Sequence, residues 1–234
     1  MRWKVQKTAF MKTLPVMAGY LVLGFGFGIL LEDNGYGFWW ALAMSGFIYA
    51  GSMQYVTISL MTSGASFISA ALTTLMVNAR HLFYGISMVD KYKNAGKKKP
   101  YLMFALTDET YSLVCNGECP EGMDAHSYYF WISLFNQCYW MIGSLLGSMV
   151  GTALQFNTAG IDFSMTALFV TVFVEQWLST KNHLSAVLGV VSSVICLLIF
   201  GSDRFLIPSM IAITVVLSLT RKKIEESDGG ADYE

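Results

Sequence analysis

Apolar residues in this chain come in long blocks separated by short polar islands, not in the strict alternation of a half-buried strand. The runs are Leu14–Leu31, Phe38–Met61, Ala65–Val89, Tyr101–Cys115, Tyr128–Leu154, Phe163–Trp177, Leu184–Phe200 and Phe205–Thr220. Each predicts a helix. A bilayer's hydrocarbon core takes about 20 apolar residues to cross, and most of these runs approach or exceed that length. The pattern predicts an all-α, polytopic integral membrane helical bundle of six to eight apolar segments. It divides into a basic N-terminus (1–12) and an acidic tail (221–234), both expected in the cytoplasm and the tail expected to be disordered, around a membrane domain (13–220).

The third run breaks the pattern from within. Its stretch Thr73–Ser87, TTLMVNARHLFYGIS, holds Asn78, Arg80 and His81 inside an otherwise apolar segment. An arginine at the centre of a membrane helix costs roughly 2.5–3.5 kcal/mol on insertion scales. It stays there only where protein or trapped water surrounds it. On an unbroken helix Thr73, Thr74, Val77, Asn78, Arg80, His81, Tyr84 and Gly85 share one arc of roughly 160°. Leu75, Met76, Ala79, Leu82, Phe83 and Ile86 fill the opposite one. The competing role for Arg80 and His81 is snorkelling toward the lysine-rich loop ten residues on. Ten residues make about 15 Å of helix, half the hydrocarbon thickness, so a buried polar face is the stronger reading.

Two further runs are expected to be broken or re-entrant. In the second, Gly51-Ser52 beside Gln54 is where a helix can open and free backbone groups for a ligand; an unbroken helix with a packed Gln54 is the alternative. The fourth, Tyr101–Cys115, reaches only about 22 Å as a helix and carries Thr107-Asp108-Glu109-Thr110. Adjacent carboxylates there point to an element lining a cavity, or to a water-exposed end. Charge gives a second argument. If every run spans, the five-lysine loop Asp90–Pro100 falls on the side opposite the basic N-terminus, against the positive-inside rule. If the second and fourth dip in and return, the N-terminus, that loop, Lys181, Arg221–Lys223 and the C-terminus all lie in the cytoplasm.

Glycines mark close packing. Gly19, Gly24, Gly26 and Gly28 in the first run, and Gly143, Gly147 and Gly151 in the fifth, allow helices to approach closely. Their mate is another segment, a partner subunit or a second copy. Composition agrees: 54% hydrophobic and 13% charged, with a net charge of −1 that gives nucleic acid no electrostatic hold. Cys115 and Cys119 form a lone C-x3-C, which reads as a loop disulfide or two free thiols and not as a zinc site. No metal or cofactor is expected. Asp162 suits a helix N-cap, and Glu175 beside Trp177 an interface. The basic flank before the first run has no small-residue cleavage site after it, so it is expected to remain as a retained first helix.

The pieces YAGSMQY (Tyr49–Tyr55), VNARHLFYG (Val77–Gly85), LTDETY (Leu106–Tyr111) and GIDFSMTALF (Gly160–Phe169) resemble the AzlC-type branched-chain amino acid exporters, in order and approximate spacing. The resemblance covers most of the chain, and R-H-x-x-Y-G and T-D-E are its specific parts. It implies a small bacterial inner-membrane protein that exports branched-chain amino acids, or methionine or azaleucine in some members, with a smaller AzlD-type membrane subunit. It picks out Tyr49, Gly51, Gln54, Asn78, Arg80, His81, Tyr84, Thr107, Asp108, Glu109 and Asp162. Many members have proline where this chain has Thr166.

On this reading Arg80, Asn78, Tyr84, Gln54, Tyr49 and Gly51 are expected to bind substrate. Arg80, or free N–H groups of a broken second segment, would take the carboxylate. Asp108, Glu109 and His81 are expected to couple transport to protons, and Asp108 or Glu109 to hold the ammonium. Thr107 and Asp162 are expected to be structural. Met53, Met76 and Phe83 are among many candidates for a side-chain pocket. Three other readings use the same polar cluster: a buried ion pair that merely pins two segments, an intramembrane enzyme, and a passive channel. The enzyme reading has no nucleophile elbow or metal-binding H-E-x-x-H in its support. Partners beyond the small subunit, the amino acid and lipid are left open to a homo-oligomer.

Overall fold

The structure is a computed structural model that describes residues 2–115, 119–153, 163–179, 183–201 and 205–229. The described residues are helical, and contacts divide the chain into two units, Met1–Leu168 and Phe169–Glu234.

Two long helices frame the first unit: α1 (Arg2–Asp33) and α8 (Ala125–Ala153). Among the described residues, α1 is long and apolar enough to cross a membrane as one continuous helix. The α8 helix has the length, but it buries Ser133, Asn136, Gln137, Ser144 and Ser148. The two run parallel. Val5 and Ala9 share a core cluster with Tyr128, Tyr129 and Ile132. The Thr13 hydroxyl meets the Tyr139 hydroxyl at 3.1 Å, and further on Ser148 donates to Glu32 at 2.9 Å.

Between these points Gly24 and Gly28 of the first run meet Gly143 and Gly147 of the fifth, so the mate of these four is within the chain. A Cβ on Gly24 would sit 2.9 Å from the Trp140 carbonyl oxygen, and one on Gly143 2.8 Å from the Leu21 carbonyl oxygen. At Gly28 and Gly147 the added carbon would collide with the backbone of Ser144 and Phe25. Backbone contacts this close admit only hydrogen at Cα.

The second run is broken. Helix α2 (Phe38–Ala43) continues into one π turn (Met44–Ile48), which ends at Tyr49 in the left-handed region (φ 45°). Helix α3 (Gly51–Thr62) starts afresh after Ala50. The segment turns back on itself. It begins beside the C-terminal end of α1, where Tyr36 N–H bonds to the Leu31 carbonyl at 3.0 Å. It reaches the middle of α8, where Gln137 donates to the Gly46 carbonyl at 3.1 Å. It then returns, Tyr55 donating to the Leu23 carbonyl at 2.7 Å and Ile58 packing in one cluster with Leu31.

The fourth run is likewise a hairpin of half-helices. Pro100 opens α6 (Lys99–Phe104) at the position where its missing N–H costs nothing. The chain then breaks at Ala105–Thr107 and resumes as α7 (Asp108–Cys115). Lys91, in the lysine-rich loop, donates to the Val114 and Cys115 carbonyls and brings the end of α7 back to where α6 started.

The third run corrects the sequence reading, which took it as one helix. It is α4 (Phe67–Val77), capped by Ser66, then a break at Asn78, then α5 (Ala79–Met88). Asn78 (φ −93°, ψ 6°) sits in the bridge region, which asparagine tolerates well. The predicted sidedness survives the break. Leu75, Leu82, Phe83 and Ile86 are exposed, while Asn78, Arg80, His81 and Tyr84 are partly covered. Met88 and Tyr92 join the cluster of Val5 and Ala9, so this run connects the two ends of the first unit.

In the second unit α10 (Leu184–Phe200) and α11 (Leu206–Gly229) pack together. Helix α11 continues to Gly229, through most of the expected disordered tail. Arginine, lysine and glutamate at 221–226 are good helix formers and sustain it. The α9 helix (Phe163–Ser179) carries residues of both units. Asp162, the Glu175 side chain and the loops around Lys181 and Asp203 lie outside the described residues.

Candidate functional site

The three helix breaks meet. Tyr49-Ala50, Asn78 and the turn after Phe104 all contribute to one cavity of about 210 Å³. Its polar lining comes from Tyr49, Asn78 and His81, and its apolar lining from Ile48, Met103, Phe104 and Leu106, with Gly85 open beside them.

The breaks bring helix N-termini to this point, with N–H groups that have no partner within the helix. Neither Ala50, before α3, nor Asn78, before α5, caps its helix with a side chain. The start of α7 differs. There the Thr107 hydroxyl accepts from the Thr110 N–H at 3.3 Å. Thr107 therefore caps α7.

Arg80, in the first turn of α5, reaches two other broken segments. Its Nη1 lies 2.6 Å from Asp108 Oδ2, and its Nη2 donates to the Ser52 hydroxyl at 2.9 Å. The two charged side chains keep 27% and 21% of their surface exposed, so the pair is not in a sealed core, but neither residue lines the cavity. Several buried atoms around them have no partner: Arg80 Nε, Asp108 Oδ1, Asn78 Oδ1, His81 Nδ1 and the Tyr49 hydroxyl. Buried polar atoms are nearly always paired. A concentration of unpaired ones beside a cavity marks a place for a polar ligand.

Glu109 faces away from Arg80's partner. It accepts from the Tyr20 hydroxyl at 2.6 Å. Tyr20 also meets the Thr107 hydroxyl at 2.7 Å, and Asn136 donates to Thr110 at 3.0 Å. A continuous polar chain thus links α1, α7 and α8.

The other expected residues are placed as follows. Gly51 starts α3 against Trp140, whose ring carbon would lie 3.2 Å from an added Cβ. The Gln54 carbonyl accepts from Trp140 Nε1 at 2.9 Å and its amide points to Ser45 at 3.4 Å, so both ends are engaged by protein. Tyr84 stacks on Tyr111 with centroids 4.4 Å apart and meets His81 edge-on. Met53, Met76 and Phe83 do not line the cavity. Cys115 and Cys119 are free thiols.

Tyr20, Asn136 and Met103 were not singled out from sequence for the site; Ser52 was read only as part of a helix break and Gly85 only as a member of the polar arc. Asn136-Gln137 inside an apolar run was a readable signal, since amides in a membrane segment are rarely idle. Tyr20 gave none: a lone tyrosine among glycines and leucines reads as packing.

Comparison with known proteins places this architecture. The family model described as AzlC protein matches residues 15–154, which include all three breaks. The branched-chain amino acid transport protein AzlC of Bacillus subtilis (strain 168) is 42% identical over 97% of this chain and 89% of its own. A membrane protein of Helicobacter pylori (strain 26695) is 44% identical over 95% of this chain and 97% of its own. Another, of Haemophilus influenzae, is 41% identical over 94% of this chain and 90% of its own. No solved structure matches. On the family match and these identities, this membrane protein belongs to the AzlC family.

Proposed function

We propose that this chain transports branched-chain or similar hydrophobic amino acids outward across the inner membrane, as the large subunit of a two-component system with a small AzlD-like partner. One observation carries the reading: three interrupted helices converge on one cavity lined by Tyr49, Asn78 and His81, and the Arg80–Asp108 pair ties two of the same broken segments together. Discontinuous helices that direct their N-termini at an anionic group, and their free carbonyls at a cation, are a recurrent way of binding a zwitterion within a membrane. The name of the Bacillus relative supports the substrate class.

In this mechanism the substrate carboxylate engages Arg80 and the N-termini of α3 and α5. Its ammonium faces Asp108 and the carbonyls that end the π turn and α4. Tyr49 and Asn78 supply hydrogen bonds. Asp108, Glu109 and His81 exchange the protons that drive export. Gln54, already paired with Trp140, acts by holding α3 to α8.

The test is loss of labelled leucine, isoleucine, valine and methionine from preloaded cells with and without the chain. Faster loss with the chain is expected, reduced to the deletion rate by Arg80→Ala. Equal rates with and without the chain would overturn the reading. For coupling, Asp108→Asn and Glu109→Gln are each expected to lose flux driven by a pH gradient. Full retention in both variants removes the proton from the mechanism.

A further inference from the structure

The cavity has a direction. Along α5, Asn78 and His81 stand at the break and Gly85 stands one turn beyond His81, about 6 Å further along the axis. Opposite Gly85 is Met103 of α6: a Cβ on Gly85 would lie 3.5 Å from the Met103 methyl carbon. Phe104 continues the apolar wall and packs near Tyr49, with ring centroids 6.3 Å apart. Of the unpaired buried polar atoms, those on Tyr49, Asn78 and His81 belong to residues lining the cavity at the breaks. Gly85 and Met103, separated by no more than the room for one methyl group, therefore form the apolar end of the cavity, away from the polar groups at the breaks.

We propose that Gly85 and Met103 together determine which amino acid side chain the site admits, the bare Cα of Gly85 and the Met103 methyl forming adjacent parts of the cavity's apolar end wall. This rests on the transport reading above. A glycine at this point of α5 has no turn to form, since it lies in a helix interior, where it costs roughly 1 kcal/mol relative to alanine. Room for a ligand is the physical return on that cost. Methionine opposite suits a slot for aliphatic chains of differing branching, because its unbranched thioether adapts its rotamer to the shape presented.

The proposal is tested in membrane vesicles from cells carrying the full chain, with vesicles from a deletion strain as the blank. Labelled alanine, leucine and phenylalanine are the probes. Gly85→Ala puts a methyl against Met103, and Gly85→Val fills more of the slot. Both are expected to raise the half-saturating concentration for leucine, about tenfold for Gly85→Val, with less change for alanine. Met103→Ala opens the end wall and is expected to admit phenylalanine about tenfold better.

If the wild type transports leucine and Gly85→Ala and Met103→Ala leave the order of preference unchanged, the proposal is wrong and the transport reading stands. If every variant loses alanine and leucine equally while present in the membrane, these residues serve folding and the proposal is also wrong. If the wild type moves none of the three above the blank, the transport reading itself fails and this inference with it.

Discussion

The Arg80 guanidinium engages two partners with its two terminal nitrogens, Asp108 at 2.6 Å and Ser52 at 2.9 Å, and leaves Nε unused. A lysine in its place offers one compact cation and cannot keep both directions of the planar fork. Removing one partner of a fully buried pair costs about 3–5 kcal/mol, because the other charge is stranded. Here both side chains keep some exposure, so Arg80→Ala is expected to destabilise the detergent-solubilised chain by roughly 1–3 kcal/mol. Adding Asp108→Asn removes the stranded charge and should recover most of that loss, read as a coupling in a double-mutant cycle of thermal stability. Transport should not recover with it. If it does, the pair only pins α5 to α7. At this scale the sequence was informative where a residue was chemically out of place. A charge or amide in an apolar run is conspicuous, and Asn78, Arg80, His81, Asp108 and Glu109 were found that way. Tyr20 is at home in such a run, and only the chain folded around it reveals what it faces.

Two of the three helix breaks were legible for local reasons. Segment four was too short to cross, and segment two carried Gly51-Ser52 beside an amide. The break at Asn78 had no such signal, because one asparagine in a long apolar run does not by itself end a helix; tertiary contacts decide it. The glycine-rich helices show the same division. Their spacing announced a close contact, but the choice among mates was made by the fold, which sets α1 against α8. Gly28→Ala and Gly147→Ala each drive a methyl into opposing backbone, which cannot yield as a flexible side chain does. Overpacking of this kind costs typically 1–3 kcal/mol, and a lowered melting temperature is expected for both. Gly19 lies on the same α1 with nothing within 4 Å of an added Cβ. Gly19→Ala should be neutral or stabilising, since alanine is the better helix former. A Gly147→Ala variant as stable as wild type would mean that α1 and α8 do not approach this closely.

Across the first unit, the two hairpins of half-helices enter from opposite ends. The pair α2–α3 starts and ends beside the C-terminal half of α1. The pair α6–α7 starts and ends at the lysine-rich loop, which packs near the N-terminus of α1 through Val5, Ala9, Tyr92 and Ala95. The run α4–α5 carries the chain between those ends. This is the arrangement that the distribution of lysines required: with two segments turning back, the basic N-terminus and the loop of five lysines share one face of the molecule. Positive charge is retained in the cytoplasm, so that face is expected to be the inner one, and the turn at Asn34-Gly35 the outer one. In a background with Cys115, Cys119, Cys138 and Cys196 replaced by serine, Asn34→Cys should react with a membrane-impermeant maleimide in intact cells. Lys97→Cys should react only after the membrane is permeabilised. Labelling of Lys97→Cys in intact cells would invert the molecule. The cavity would still lie where the hairpins meet, but the inward-facing side of the transport cycle would be the side now assigned to release.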